Sequence, residues 1–310
     1  MKSFNQIIVT LFILLFASSA ICETLFVDQS GAGDYITIQE AINEASEGDI
    51  IQIGPGTYLE HLNVKKNVSL IGAGPNFTWL NSASKPTDNT VSAIYINKAL
   101  SGSISGMRIT ANVHGIQFNV SGNNLTIRNC IFDNCSNGVS THDLSNNMYL
   151  YNNLFVFCTN GVYMYTYQDT LNFTIKGNII AYNKTNGIQL SNAGSSSISG
   201  PKAYNNIYEN GNNYYGVSTG TGDISKNPRF IDAESGNFVL QSSSPCINSG
   251  VPGWLDPDGS RSDMGPYATM TAKSFWPYPQ HGPIVKELSI IPSAIPKGGK
   301  LSIKATGEIR

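Results

Sequence analysis

Apolar and polar positions alternate in short runs through the middle of the chain. Leu125 and Ile127, Ile116 and Phe118, Val162 and Met164, and Ile188 and Leu190 each flank one polar residue. Alternation of period two marks strands with one buried face. Four segments stack: ISGMRITANVHGIQFN from Ile104, IRNCIFDNCSNGVSTH from Ile127, LYNNLFVFCTNGVYMY from Leu150 and IKGNIIAYNKTNGIQLS from Ile175. Ile104, Ile127, Leu150 and Ile175 then share a column, as do Ile109, Phe132, Phe155 and Ile180. Gly115, Gly138, Gly161 and Gly187 share a third, each preceded by His or Asn, and the period is 23, 23 and then 25 or 26 residues. With no stretch of helical spacing here, the repeat predicts an all-β parallel solenoid whose units hydrogen-bond to their neighbours.

A different pattern precedes the repeats. Thr37-Ile-Gln-Glu40 reads as a capping box, and Ile38, Ala41, Ile42 and Ala45 form one apolar helical stripe ending at Gly48. A short amphipathic helix is therefore expected just before a first strand at Asp49 to Ile53, plugging the open end of the solenoid. Asn112, Cys135, Cys158 and Asn183 form a further column, where Asn is expected to stack in a side-chain amide ladder. Cys135 and Cys158 would occupy it on adjacent coils, as an inert thiol pair or as a disulfide.

Composition narrows the function classes. The 310 residues carry 13% charged side chains and a formal net charge of -2, which leaves no basic footprint for nucleic acid and no polybasic membrane patch. The 41% apolar content argues against disorder. Residues 1–22 read as a secretory signal peptide, and no later run reaches the roughly 20 apolar residues of a membrane span. A secreted or cell-surface protein, most simply a monomer, is expected. The β-solenoid domain is assigned to 23–272, a Pro-rich linker to 273–286, and the start of a second, β-sandwich-like domain to 287–310.

The stretch from Val27 to Gly74, VDQSGAGDYITIQEAINEASEGDIIQIGPGTYLEHLNVKKNVSLIGAG, resembles the opening of right-handed parallel β-helix proteins of the pectin-lyase-like superfamily. NPRFIDAESGNFVLQSSSPCINSG from Asn227 and DPDGSRSDMGPY from Asp256 are similar to the closing coil of secreted bacterial β-helix-repeat proteins. The resemblance implies a right-handed parallel β-helix. It leaves the chemistry open, because the superfamily hosts lyases, esterases, hydrolases and adhesins. Gln168-Asp169-Thr170-Leu171 matches one motif of pectin methylesterases, but their nucleophile motif Asp-Phe-Ile-Phe-Gly is absent, and so are polygalacturonase signatures.

Taking Ile116, Val139, Val162 and Ile188 as inward places two rows on the outside. One holds Gln117, Ser140, Tyr163 and Gln189, the other Asn119, His142, Tyr165 and Ser191. Amides and hydroxyls match sugar hydroxyls, and Tyr rings match the C–H faces of sugars, so Gln117, Asn119, His142, Tyr163, Tyr165 and Gln189 are the expected polysaccharide-binding residues. A second outward strip carries Thr126, Tyr149 and Thr174 beside Arg128, Tyr151 and Lys176. A uronate polysaccharide lyase needs a cation for the carboxylate and a base for the α-proton, for which Arg128, Lys176, Tyr151 or His142 are candidates. Asp256, Asp258 and Asp263 around Gly259 are a candidate oxygen cage for Ca²⁺. A structural stalk or adhesin without catalysis is the remaining alternative.

Overall fold

Each repeat bends to contribute one short strand to each of three parallel sheets. The computed structural model describes residues 22–84, 92–142, 146–167, 170–192 and 197–268, together with the strands Ile284–Ile291 and Ser302–Glu308. The first sheet climbs from Thr24–Val27 through Ile50–Ile53, Ser69–Gly72, Ser103–Ser105, Asn124–Arg128, Asn147–Tyr151 and Thr170–Lys176 to Ser197–Ser199. The second runs from Gly56–Tyr58 to Asn206–Tyr208 and the third from Leu62–Val64 to Asn212–Tyr215, with seven strands in each. Ile104, Ile127, Leu150 and Ile175 face one another on successive coils. So do Ile109, Phe132, Phe155 and Ile180. The sequence period is thus one turn of the expected right-handed parallel β-helix. Residues 1–21 of the expected signal segment and Asp169 lie outside the described residues.

The glycine column has a steric cause. Phe132 and Phe155 stack inside with ring centroids 4.7 Å apart and planes at 4°. A Cβ at Gly138 would fall 2.5 Å from Phe155 Cδ1 and 2.6 Å from the Gly161 carbonyl oxygen. Only a residue without a side chain lets the coils close at their usual spacing over that stack.

The plug sits one strand later than the sequence reading has it. Thr24–Val27 pairs in parallel with Ile50–Ile53, so the helix α1 (Ile38–Glu44) lies between the first and second strands. Four residues carry too few alternations to declare a strand, although Val27 is fully buried. Helix α1 buries Ile38, Ala41 and Ile42 as expected, and the Thr37 hydroxyl accepts from Glu40 N at 3.3 Å. The Glu60 carboxylate, 22 and 21 residues on, accepts from both Ile38 N and Gln39 N at 2.9 Å and locks the helix to the next coil.

Buried amide ladders run through the coils, among them a short one in which Asn123 donates to Asn146 at 2.9 Å and accepts from Leu100 N at 2.8 Å. In a longer one, Asn205, Asn178 and Asn153 each pass a side-chain N–H to the carbonyl oxygen of the next residue up, at 3.0 Å, with Asp223 as the final acceptor. The same oxygens accept the backbone N–H of Asn205, Asn178 and Asn153, and Asn153 Oδ1 accepts that of Cys130. Each Asn also donates to a carbonyl near the end of a first-sheet strand: Ile175, Leu150 and Ile127. Another ladder joins Asn210 to Asn183, whose carbonyl oxygen accepts from Cys158 N at 2.9 Å. Cys130, Cys135 and Cys158 substitute for Asn at the lower coils, with free thiols that donate to the carbonyls of Ile104, Ile109 and Phe132. Asn112 departs from its expected column. It is exposed and donates to Ala83 O at 3.3 Å, because the turn Ser82–Ser84 presents that carbonyl outside, and Ala111 is buried in its place.

The upper end closes on itself. Bridges from Ala203 to Thr221 and from Asn206 to Ile224 begin a further coil. The hairpin of Phe230–Asp232 and Asn237–Leu240 then folds back over the second sheet. Arg108 holds it there, its guanidinium 4.9 Å from the Trp79 ring and 5.2 Å from the Phe238 ring while paired with Asp133. The segment to Ala268 follows the corner between first and second sheets, where Asn129 donates to Ala268 O at 2.7 Å and Trp254 meets Tyr151 edge-on at 5.3 Å. Separately, Ile284–Ile291 and Ser302–Glu308 form an antiparallel pair, beginning three residues inside the expected linker.

Replacing Asn178 by Ala removes an acceptor for two buried donors and a donor to Leu150 O. Stability should fall by about 3 kcal/mol, whereas Asn172→Ala, in an exposed row, should cost less than about 0.5 kcal/mol. Urea denaturation of the two variants measures both; equal losses would contradict the ladder's structural role.

Candidate functional site

The outward face of the third sheet carries the first candidate. Ile116, Val139, Val162 and Ile188 are fully buried, so the residues between them face out. Gln117, Ser140, Tyr163 and Gln189 stand opposite one another on successive coils, and His142, Tyr165 and Ser191 do likewise. His114, Gln117, Asn119, Ser140, His142 and Tyr163 line an open groove of about 440 Å³. Ser140 is only 5% exposed and forms its floor. The His142 and Tyr165 rings stack 4.6 Å apart with their planes at 25°, joining two successive coils.

Neighbouring hydrogen bonds hold these polar groups in place. Gln117 Oε1 accepts from Ser92 Oγ at 2.7 Å, and Asn119 Nδ2 donates to Asn97 Oδ1 at 3.0 Å. Gln189 Oε1 accepts from Asn186 Nδ2 at 2.7 Å. Along the groove's edge runs an outer amide row that the sequence reading did not assign. Asn212 donates to Asn186, Asn186 to Asn160, and Asn160 to Asn137, at 3.0, 3.0 and 2.8 Å. The row ends on His114, whose Nδ1 lies 2.9 Å from Asn137 Nδ2. Its signal was the His or Asn that precedes each column glycine.

The second candidate face belongs to the first sheet. Arg128, Tyr151 and Lys176 occupy one register column and Thr126, Tyr149 and Thr174 another. Arg128 is half-buried, its Nε is sealed from solvent without a hydrogen-bond partner, and burial works against its charge. Ser105, its register partner on the coil below, is fully buried with its Oγ also unpartnered. Tyr149 and Tyr151 rings lie 6.0 Å apart, and burial raises the Tyr151 pKa. His142, the fourth catalytic candidate, is on the other face. The structure therefore joins Arg128, Tyr151 and Lys176 and separates His142 from them.

The aspartates of the closing turn serve backbone amides. Asp258 Oδ1 accepts from Ser260 N and Oγ, Asp263 Oδ1 from Asn248 N, and Asp256 Oδ2 from Asp263 N. Asp256, Asp258 and Asp263 thus each accept from backbone amides of the closing turn. Among the described residues, no three His, Cys, Asp or Glu side chains converge as a metal site.

A family model described as "Periplasmic copper-binding protein (NosD)" matches residues 36–239. No curated protein matches the sequence. Among solved structures, the chain is similar to pectin methylesterase from carrot, with 15% identity, 72% of this chain and 94% of that chain covered, and a TM-score of 0.35. It is also similar to pectate lyase Pel9A (12%, 79% and 96%, TM-score 0.43) and to pectin methylesterase from Aspergillus niger (13%, 67% and 84%, TM-score 0.34).

His114 yields a pH prediction. Burial holds its pKa below the ordinary 6.5, so between those two values the unfolded chain binds more protons than the folded one. Its stabilising contribution is full above about pH 6.5 and declines as pH falls through the folded-state value. Denaturation midpoints of wild type and His114→Gln, compared from pH 7.5 downward, should show the wild type losing ground in acid; a constant difference contradicts this placement of the ring.

Proposed function

This chain belongs to the NosD family, described as periplasmic copper-binding protein, and from that membership and its own surface we propose an exported β-solenoid that binds a polysaccharide chain along its third sheet. The observation that carries this reading is the open groove of about 440 Å³, with fixed amides and a hydroxyl beside the stacked His142 and Tyr165 rings. Sugars present hydroxyls at their edges and C–H groups on their faces, and this surface offers a partner for each. Coils repeat about every 4.8 Å, so equivalent groups recur along the groove as units recur along a glycan.

The family's description carries copper, and the donor set of this chain does not fit a resident copper ion. Copper favours thiolate, thioether and imidazole ligands that converge. Here the thiols of Cys130, Cys135 and Cys158 donate to backbone carbonyls in the core. Burial pushes Cys130 up to about 12 and Cys246 up to about 11, which opposes the thiolate. His114 and His142 line the same groove, but among the described residues no third His, Cys, Asp or Glu joins them. No step of the proposed function passes through the metal.

A second reading, β-elimination on a uronate polymer, draws its support from Arg128. No ion pair to a carboxylate occupies it among the described residues, and Tyr151 and Lys176 extend the same column as candidate bases. The two readings differ in product and in face.

Affinity electrophoresis through gels containing soluble polysaccharides tests both. Glycan binding predicts retardation of the protein, reduced at least about fivefold by Tyr163→Ala or Tyr165→Ala, with no rise in ultraviolet absorbance from unsaturated ends. Steady absorbance gain abolished by Arg128→Ala would replace binding by lyase activity, and unretarded migration in every gel would remove the groove from consideration.

A further inference from the structure

Resting on the reading of the third-sheet groove as a glycan site, we infer that it selects an uncharged saccharide chain and that His114 supplies a fixed hydrogen-bond donor to it. None of the residues lining the groove is Lys, Arg, Asp or Glu. A carboxylate laid there would surrender its hydration without meeting a cation, which is unfavourable, whereas hydroxyls find neutral donors and acceptors. The cations Arg128, which has no ion pair among the described residues, and Lys176, its column neighbour, sit on the first sheet, away from this groove.

The outer amide row determines the state of His114. Asn137 Oδ1 already accepts from Asn160 Nδ2, so Asn137 meets the ring through its N–H. Nδ1 of His114 must therefore accept, which requires an imidazole protonated only at Nε2. A proton on Nδ1 would set N–H against N–H at 2.9 Å. The row of asparagines thus does two things for the groove. It keeps the imidazole uncharged, and it holds an Nε2–H in one tautomer and one orientation at the groove's edge. Desolvation of the ring acts in the same sense.

Calorimetric titration with cello-, manno- and galacto-hexaose, and with oligogalacturonate of equal length, tests the inference on the full chain. At least one neutral series should bind roughly tenfold tighter than the uronate. His114→Gln, which still offers Asn137 an acceptor, should weaken neutral binding about fivefold, and Gln117→Arg should raise uronate affinity by a similar factor. Tighter binding of oligogalacturonate to the wild type would overturn the inference and leave the glycan site standing. Unchanged neutral binding in His114→Gln would remove His114 from it. Absence of binding in both classes would overturn the glycan site itself.

Discussion

The buried side-chain amide at each bend is the interaction on which the rest of this structure depends. A solenoid bends its backbone every few residues, and each bend leaves N–H and C=O groups turned into a core where water cannot reach them. Asparagine is short enough to fit there and carries both a donor and an acceptor, so Asn153, Asn178 and Asn205 each serve a backbone N–H, a carbonyl near the end of a first-sheet strand and the next Asn. The carboxylate of Asp223 ends the ladder as a strong acceptor, taking both the backbone and side-chain N–H of Asn205. Cys130, Cys135 and Cys158 mark where lower coils make do with a weaker donor.

That device explains the scarcity of charge. Coil-to-coil specificity comes from neutral amides and from apolar columns such as Phe132 on Phe155. A formal ion pair appears where something different is needed, as where Arg108 and Asp133 clamp the closing hairpin to the second sheet. With the coils fastened from within, the outward positions of the third sheet are released from structural duty. Uncharged amides, hydroxyls and aromatic rings can then be presented at coil spacing, and the same kind of amide row that stiffens the interior orients His114 at the groove's edge.

The columns of Ile127, Phe132 and Gly138 were legible in the sequence because each unit repeats the same burial pattern, and they carried the winding and the outward registers of Gln117, Ser140 and Tyr163 with them. Features that depend on contacts across unequal spacings were not legible. The strand Thr24–Val27 is too short to show its period, and Glu60 caps helix α1 from another coil. Asn112 turns outward because of the Ala83 carbonyl on a neighbouring turn, which no column reveals. The role of His114 lay half in view, since a His or Asn precedes each column glycine. Its neutrality follows only from the direction of donation along the whole row. The backbone partners of Asp256, Asp258 and Asp263 could not be read from spacing.

The central claim is that the interior amides hold the coils while the third-sheet face receives the ligand. Titrating isotope-labelled protein with a bound oligosaccharide and following side-chain amide and backbone resonances tests it most directly. The account predicts shifts at Gln117, Asn119, Ser140 and Tyr163 with unmoved signals from Asn153, Asn178 and Asn205. Shifts concentrated at Arg128, Tyr151 and Lys176, with the groove silent, would contradict it.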